Sequence, residues 1–210
     1  MSDTTRTEAF SDGVLAIAIT LLVLDLSVPV RGSLHESLAR ALAHEWPSYA
    51  AYVTSFLIIG IIWVNHHAVF ELVGRVDRTA LFLNLLLLMT VATIPFTTRL
   101  LATYLTAGSA ARTAAVVYSA IMLAMSFGFA GLYAYVAYHP ELLAEGVDPV
   151  SVRSSIRRFS TVGITLYALT IVIAIFSAPF CLLAHFLIAV YYCFSQIRVG
   201  GRTPRERTVT

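Results

Sequence analysis

The stretch that decides the fold is residues 6–26, which read RTEAFSDGVLAIAITLLVLDL. Residues 14–24 are almost all apolar, and with its flanks this run is long enough to cross the hydrocarbon core of a bilayer, which takes about 20 helical residues. Ser11 and Asp12 stand at the start of the run. An ionisable group at the entrance of a membrane helix costs roughly a few kcal/mol unless it is paired or hydrated, so the Asp12 carboxyl marks a candidate functional site.

Composition assigns the chain to the integral membrane proteins. Of its 210 residues, 58% are hydrophobic and only 12% are charged, and its mean hydropathy is +0.80. Soluble domains carry about 25% charged residues, which excludes a water-soluble fold. No basic segment precedes the first apolar block, and no small-residue cleavage site is evident. We therefore expect a retained helix and not a signal peptide. The net charge of +2 does not favour a nucleic-acid partner.

The apolar blocks predict an all-α, polytopic protein that crosses the lipid bilayer six times. The predicted spans are 10–30, 46–70, 79–99, 113–137, 160–177 and 180–197. The last two come from one apolar run that is interrupted at Pro179, since proline lacks the backbone donor and disfavours helix at the residue before it. Pro95 is expected to kink the third span near its outer end. We expect residues 1–198 to form one six-helix domain, and the short basic segment 199–210 to be a disordered tail.

A further short helix is predicted between the first two spans. Ser33 and Glu36 have the spacing of a capping box, and Leu34, Leu38 and Leu42 recur on one helical face. A helix of this kind is too short to span a bilayer, and we expect it to lie at the membrane interface.

The distribution of the fourteen basic residues, all of them arginine, predicts the orientation. With six spans, ten arginines fall in the N-terminal segment, the second and fourth loops and the C-terminal tail, whereas four fall on the other side. Loops rich in Arg and Lys face the cytoplasm. We therefore expect a multi-pass protein of the cell membrane with both termini in the cytoplasm.

The first span has two distinct faces. Because a helix turns by about 100° per residue, Ile17, Leu21 and Leu24 share one narrow apolar stripe, flanked by Thr20, while Asp12 lies about 140° from Ile17. Such a stripe packs against other helices or lipid, or it forms a hydrophobic constriction when several copies surround an axis. Asp25, near the outer end, either reaches the interface as a helix-end residue or belongs to an acidic ring that concentrates cations.

Polar side chains on the second span lie at a depth similar to that of Asp12. Trp63 is spaced to share a helical face with His66 or with His67, and an Asp12 carboxylate can accept from the indole and from one imidazole. The pattern leaves three other interpretations open: a metal site, a proton relay, and separate hydration of each group. Adjacent histidines point about 100° apart and no acidic residue is spaced to join them, so we expect no metal and no cofactor.

Other polar residues receive simpler interpretations. Asn84 and Thr90 on the third span are expected to form ordinary hydrogen bonds between helices. His185 is expected to be a hydrogen-bonded packing residue. Cys181 and Cys193 have the spacing of no metal or redox motif and are expected to be small buried hydrophobes.

Two motifs together resemble a known family. Arg6, then Phe10-Ser11-Asp12 leading into a helix with Ile17 and Thr20, is similar to the first helix of the transmembrane protein 175 family, potassium-permeable channels of lysosomes and bacteria. Trp63-Val64-Asn65-His66-His67 and the six-span layout extend the resemblance over most of the chain.

The resemblance implies specific roles for these residues. In the family the first helix lines the pore, so Ile17 corresponds to the narrowest point, Leu21 and Leu24 to further bulky pore residues, and Thr20 to a threonine implicated in potassium preference. It also implies a structural polar network that positions the first helix. The residues of that predicted network are Arg6, Phe10, Ser11, Asp12, Trp63, His66 and His67.

The function that the resemblance implies is passive, potassium-favouring conduction through a homotetramer, because animal relatives carry two such repeats per chain and pair them. The sequence contains no Thr-Val-Gly-Tyr-Gly loop, so a carbonyl-lined filter is excluded. A proton-coupled transporter using Asp12, His66 and His67 is the alternative, but it predicts internal repeats and broken helices, which the sequence lacks. The sequence contains no nucleophile–base pair of the kind that would indicate an enzyme.

Overall fold

A computed structural model describes residues 4–26, 28–29 and 37–194 of the chain. Within these residues the fold is all-helical apart from one isolated β-bridge. The helices are α1 (Thr4–Leu21), α2 (Leu38–His44), α3 (Trp46–Phe70), α4 (Arg78–Ala92), α5 (Ile94–Tyr104), α6 (Ser109–Tyr138), α7 (Pro149–Phe176) and α8 (Ala178–Phe194). Short 3-10 turns cover Leu22–Asp25, directly after α1, and Pro140–Leu142.

Five segments of the described chain are long and apolar enough to cross a membrane, which confirms a helical, multi-pass membrane protein. They are Thr4–Asp25, Trp46–Phe70, Arg78–Tyr104, Ser109–Tyr138 and Pro149–Phe176. Helix α8 is equally apolar but has only 17 residues, about 25 Å of helix. The sixth span therefore remains a prediction.

The helix boundaries of the structure differ from those predicted for three spans, the first, the third and the fifth. The first span begins at Thr4 and ends at Asp25, so the predicted end at residue 30 is wrong; Leu26 is already extended. The third span continues to Tyr104 and not to residue 99, and the fifth begins at Pro149 and not at residue 160. The early start of α7 has a local cause, because the Asp148 carboxylate accepts from the backbone N–H groups of Val150 and Ser151.

Both predicted proline breaks are confirmed. The third span is divided at Thr93 into α4 and α5, and Pro95 lies in the first turn of α5, where its missing N–H has no intrahelical partner to lose. Helix α7 ends at Phe176, Ser177 is extended, and α8 begins at Ala178 with Pro179 in its first turn. Because α7 and α8 pack against each other, this break produces a helical hairpin.

Two connections dock on each other at one end of the bundle. Val73 and Leu143 form the antiparallel bridge, and the Gly74 N–H donates to the Leu142 carbonyl at 2.9 Å. A Cβ on Gly74 would lie 3.1 Å from the Ala144 Cα, so a larger residue would push the two connections apart by a few tenths of an ångström. The second and fourth connections thus lie at the same end, as alternating membrane crossings require.

The same end is fastened by Asp77, the N-cap of α4. Its carboxylate accepts from the Ala80 N–H at 2.8 Å and from the Tyr135 hydroxyl at 2.7 Å. These two hydrogen bonds, that of the Ala80 N–H foremost, lower the pKa of the Asp77 carboxyl below its usual value. Helix α4 is thereby tied to the C-terminal turns of α6.

Of the short interfacial helix, only α2 lies within the described residues, where Leu38 and Leu42 are exposed as its predicted apolar face. The capping-box residues 33–36 and the tail 199–210 lie outside the described residues.

Candidate functional site

One face of α1 packs against the other helices of the chain, and the opposite face is uncovered. Ser11, Leu15, Ala18 and Leu22 are buried where α1 packs against α3 and α4. On the other face Ile17 is 61% exposed, Leu21 43% and Leu24 75%. An interior packing role for the Ile17–Leu21–Leu24 stripe is therefore excluded within the protomer, and the stripe must face lipid or another copy of the chain.

The stripe crosses a change of helix type. The α-helix ends at Leu21 and continues as a 3-10 turn over Leu22–Asp25, which advances by about 120° per residue and not by about 100°. Leu24 remains the most exposed of the three stripe residues despite this change. No residue in the sequence signals the tighter turn.

Thr20 lies on the exposed side of α1. Its hydroxyl is within 2.9 Å of the carbonyl oxygens of Ala16 and Ile17 and donates its proton to the helix backbone. The lone pairs of the Thr20 oxygen consequently remain free to accept from water or to approach a cation.

Asp12 and Trp63 connect α1 to α3 near one end of the bundle. The Trp63 Nε1–H donates to Asp12 Oδ1 at 3.0 Å. The indole stacks on the His67 ring with 6.3 Å between centroids and 17° between planes, and His67 Nε2 lies 3.7 Å from Glu71 Oε1. All four of these side chains are largely exposed.

A second polar set lies buried behind α1. The Asn84 Nδ2–H donates to Ser11 Oγ at 2.9 Å, and Ser11 Oγ donates to the Thr7 carbonyl at 2.8 Å. The Asn84 Oδ1 lies 3.0 Å from His66 Nε2; since this oxygen can only accept, the imidazole carries its proton on Nε2. Ser11, His66 and Asn84 are each no more than 2% exposed. We call these three side chains the buried polar bridge, which joins α1, α3 and α4.

The predicted network is thus divided into two parts. Asp12 accepts from the Trp63 indole, as expected. Neither imidazole bonds to Asp12: the His66 ring bonds to Asn84, and the His67 ring lies beside Glu71. Arg6 is exposed and forms no hydrogen bond or ion pair with the other described residues, and Phe10 is likewise exposed.

Asn84 is the residue that the predicted network omitted. Its signal was an amide directly before the apolar run Leu85–Leu88, because an amide inside a membrane helix must find a partner. Thr90 was wrongly expected to bond between helices, since its hydroxyl donates to the Leu87 carbonyl within α4.

At the far end of α1, Asp25 has a cationic neighbour. Arg99 Nη1 lies 3.9 Å from Asp25 Oδ1, and the Asp25 side chain is only 18% exposed, against 73% for that of Arg99. The acidic group is partly neutralised by the third span. Elsewhere, no three His, Cys, Asp or Glu side chains of the described residues converge as metal ligands.

The chain is similar to known proteins over most of its length. Residues 6–95 match the family described as the endosomal/lysosomal potassium channel TMEM175. A protein of Streptomyces collinus named as a potassium channel is 50% identical over 202 residues, which cover 96% of this chain and 97% of that protein. Another, from Chamaesiphon minutus and also named as a potassium channel, is 42% identical over 192 residues, or 91% of this chain and 94% of that protein.

A solved structure shares the fold. The crystal structure described as a lysosomal potassium-selective channel TMEM175 homolog from Chamaesiphon minutus matches with a TM-score of 0.81 at 39% identity. The match covers 93% of this chain and 98% of that chain.

Proposed function

The chain belongs to the TMEM175 family of potassium channels and is itself a potassium channel; from this premise we propose that α1 lines the pore at the axis of a homotetramer. The observation that carries the proposal is the uncovered face of α1. Ile17, Leu21 and Leu24 are exposed on it while the opposite face is fixed into the bundle, so each copy offers a rigidly held apolar stripe. The relatives' naming as potassium channels gives no support to the transporter alternative.

One copy of the stripe cannot close a ring, and this is the argument for assembly. Several stripes around an axis would make an apolar constriction at Ile17, which controls conduction by the ease with which it is wetted. Four copies is the number proposed here. The role of Leu21 and Leu24 is to extend the apolar passage toward the outer mouth.

Thr20 is the proposed selectivity residue. Its hydroxyl proton is occupied by the α1 backbone, so its oxygen presents lone pairs on the exposed side of the helix, one residue short of a turn beyond Ile17. A cation that has lost part of its hydration shell at the constriction needs such an oxygen. Sodium holds its water more strongly than potassium, so a ring of hydroxyls compensates potassium better.

The two polar sets are proposed to hold α1 in its rotational setting. The buried polar bridge fixes the inward face of α1 at Ser11, and the Asp12–Trp63 bond fixes the next residue of the helix at an exposed position. With both fixed, the Ile17 stripe cannot rotate about the helix axis. Arg6 and Phe10 contribute no hydrogen bond to this lock among the described residues, and we restrict the lock to Ser11, Asp12, Trp63, His66 and Asn84.

The topology is proposed to be six spans with both termini in the cytoplasm of a bacterial-type cell membrane. Helix α8 is shorter by several ångström than the hydrocarbon core of about 30 Å, a mismatch that bilayers accommodate by thinning. The second connection carries Arg75, and Arg153 in the first turns of α7 reaches back to the Ala137 carbonyl at the same end, which supports a cytoplasmic placement of that end.

The proposal is tested with cysteines that silver ions can reach. In a Cys193→Ser background, where Cys181 remains buried, Ile17→Cys is compared with Phe127→Cys, a residue on α6 that is 54% exposed against 61% for Ile17. Ag⁺ is a thiol-reactive monovalent cation able to enter a potassium pathway. We expect Ag⁺ to abolish potassium efflux from liposomes for Ile17→Cys alone. Equal effects on both variants, or on neither, would contradict a pore lined by α1.

A further inference from the structure

A small cavity lies inside the protomer, away from the Ile17 stripe. It is lined by residues of α3, α6, α7 and α8, and its volume, counted as the space open to the centre of a water molecule, is about 40 Å³. Its walls are mainly apolar, with Ile62, Met125, Phe129 and Phe159 among them. No ionisable acid or base other than tyrosine belongs to its lining. The potassium pathway proposed above makes no use of this cavity.

Three buried polar atoms on three different helices line this cavity without a hydrogen-bond partner among the described residues. They are Asn65 Oδ1 on α3, Ser160 Oγ on α7 and Tyr192 Oη on α8. The Asn65 amide nitrogen already donates to the Ile61 carbonyl, so its oxygen is left as an acceptor. An unsatisfied buried polar group costs about 1–3 kcal/mol, and three such groups at one place point to a bound partner.

Gly163 keeps the space between these groups open. A Cβ at this position would lie 3.1 Å from Ser126 Oγ and 3.2 Å from Tyr192 Oη. The two hydroxyl oxygens therefore converge above the Gly163 Cα, where any larger residue would compete with a ligand for the same space.

We propose that this cavity binds a small cluster of ordered water molecules, since it is polar at three points and has room for water. Water can both donate to Asn65 Oδ1 and exchange hydrogen bonds with the hydroxyls of Ser160, Tyr192 and Ser126. A metal cation is disfavoured because the lining supplies no carboxylate. The cluster connects α3, the helix that holds α1 through Trp63, to α7 and α8, and it does not depend on the proposed pore.

The test is radiolytic hydroxyl-radical labelling of the protein in lipid nanodiscs, because radicals generated from bound water oxidise the side chains beside it. Two methionines on α6 form a matched pair: Met125 lines the cavity and is 4% exposed, whereas Met122 is 0% exposed and does not line it. Tyr192 and the buried Tyr133 form a second pair. We expect Met125 and Tyr192 to be oxidised several-fold faster than Met122 and Tyr133. Equal rates within both pairs would show a dry cavity and overturn the proposal.

Two glycine variants provide the control. Gly163→Ala places a methyl group among the converging oxygens, and it should reduce Met125 oxidation by several-fold. Gly131→Ala, on the same helix as Met125, meets no atom within 4 Å and should leave the rate unchanged. Tyr192→Phe, which removes one hydroxyl at nearly constant volume, should likewise reduce Met125 labelling. Unchanged Met125 labelling in both Gly163→Ala and Tyr192→Phe would contradict a water cluster at this place.

Discussion

The Trp63 indole donates a 3.0 Å hydrogen bond to Oδ1 of Asp12, and this bond joins α1 to α3 through two exposed side chains. The neighbouring Ser11 side chain bonds in a different direction, to Asn84 on α4. Consecutive residues of one helix are thus held by two different helices. This arrangement resists rotation of α1 more than either bond does alone, and it fixes which side chains face outward.

The first prediction concerns the exposed half of this lock. Asp12→Ala removes the acceptor of the Trp63 indole and should lower stability by about 1 kcal/mol, together with the recovery of the proposed tetramer from detergent and the potassium flux. Asp12→Asn keeps an acceptor oxygen and should lose less of each. Size-exclusion chromatography and liposome flux measure both. Intact, fully conducting Asp12→Ala tetramers would show that the bond does not position α1.

The second prediction concerns the buried polar bridge. Asn84→Leu leaves Ser11 and His66 without their partner in an apolar interior, so it should destabilise the protein by about 2 kcal/mol or more. Thr90→Val on the same helix is the control, because the Thr90 hydroxyl bonds only within α4. Thermal unfolding in detergent distinguishes them. A melting temperature of Asn84→Leu no lower than that of Thr90→Val would refute the structural role of the bridge.

The third prediction concerns the outer end of α1. Arg99→Gln removes the cation 3.9 Å from Asp25, which should make the local potential more negative and increase potassium conductance at low ionic strength. The increase should disappear in high salt, because the screening length falls from about 30 Å at 0.01 M to about 3 Å at 1 M. Arg112→Gln, an exposed arginine at the start of α6, is the control. An equal rise in conductance in both variants would show that the rise does not come from the charge of Asp25.

The fourth prediction concerns ion preference. Thr20→Val has nearly the same volume without the oxygen and should lower the potassium-to-sodium permeability ratio while keeping the proposed assembly intact. Thr20→Ser retains the hydroxyl and should lower the ratio less. Reversal potentials under bi-ionic conditions compare the three proteins. An unchanged reversal potential in Thr20→Val would leave selectivity to the width of the Ile17 ring.

Much of the fold was predictable because length and proline are local signals. Apolar runs located the spans, and Pro95 and Pro179 located the breaks. The Asp12–Trp63 pair was predictable as well, since Asp12 lies toward the start of α1 and Trp63 toward the end of α3, at a similar depth, and each needs a partner in a membrane.

The direction of His66 was not predictable in the same way. Depth alone placed His66, His67 and Asp12 together, but the rotation of α3 and the packing of α4 behind α1 bring His66 to Asn84. Such settings depend on the shapes of buried side chains from three helices, which no single helix encodes. The 3-10 turn at Leu22–Asp25 has no sequence signal for the same reason.

In the proposed pore the Ile17 side chains meet at the axis. The most direct test compares potassium flux and bi-ionic reversal potential in Ile17→Asn with those in Ile19→Asn, whose side chain points about 160° away on the same helix. An amide ring at the constriction should wet the pore, so Ile17→Asn is expected to raise conductance and weaken the discrimination between potassium and sodium. Ile19→Asn should do neither. Equal changes in both variants, or no change in Ile17→Asn, would contradict the account.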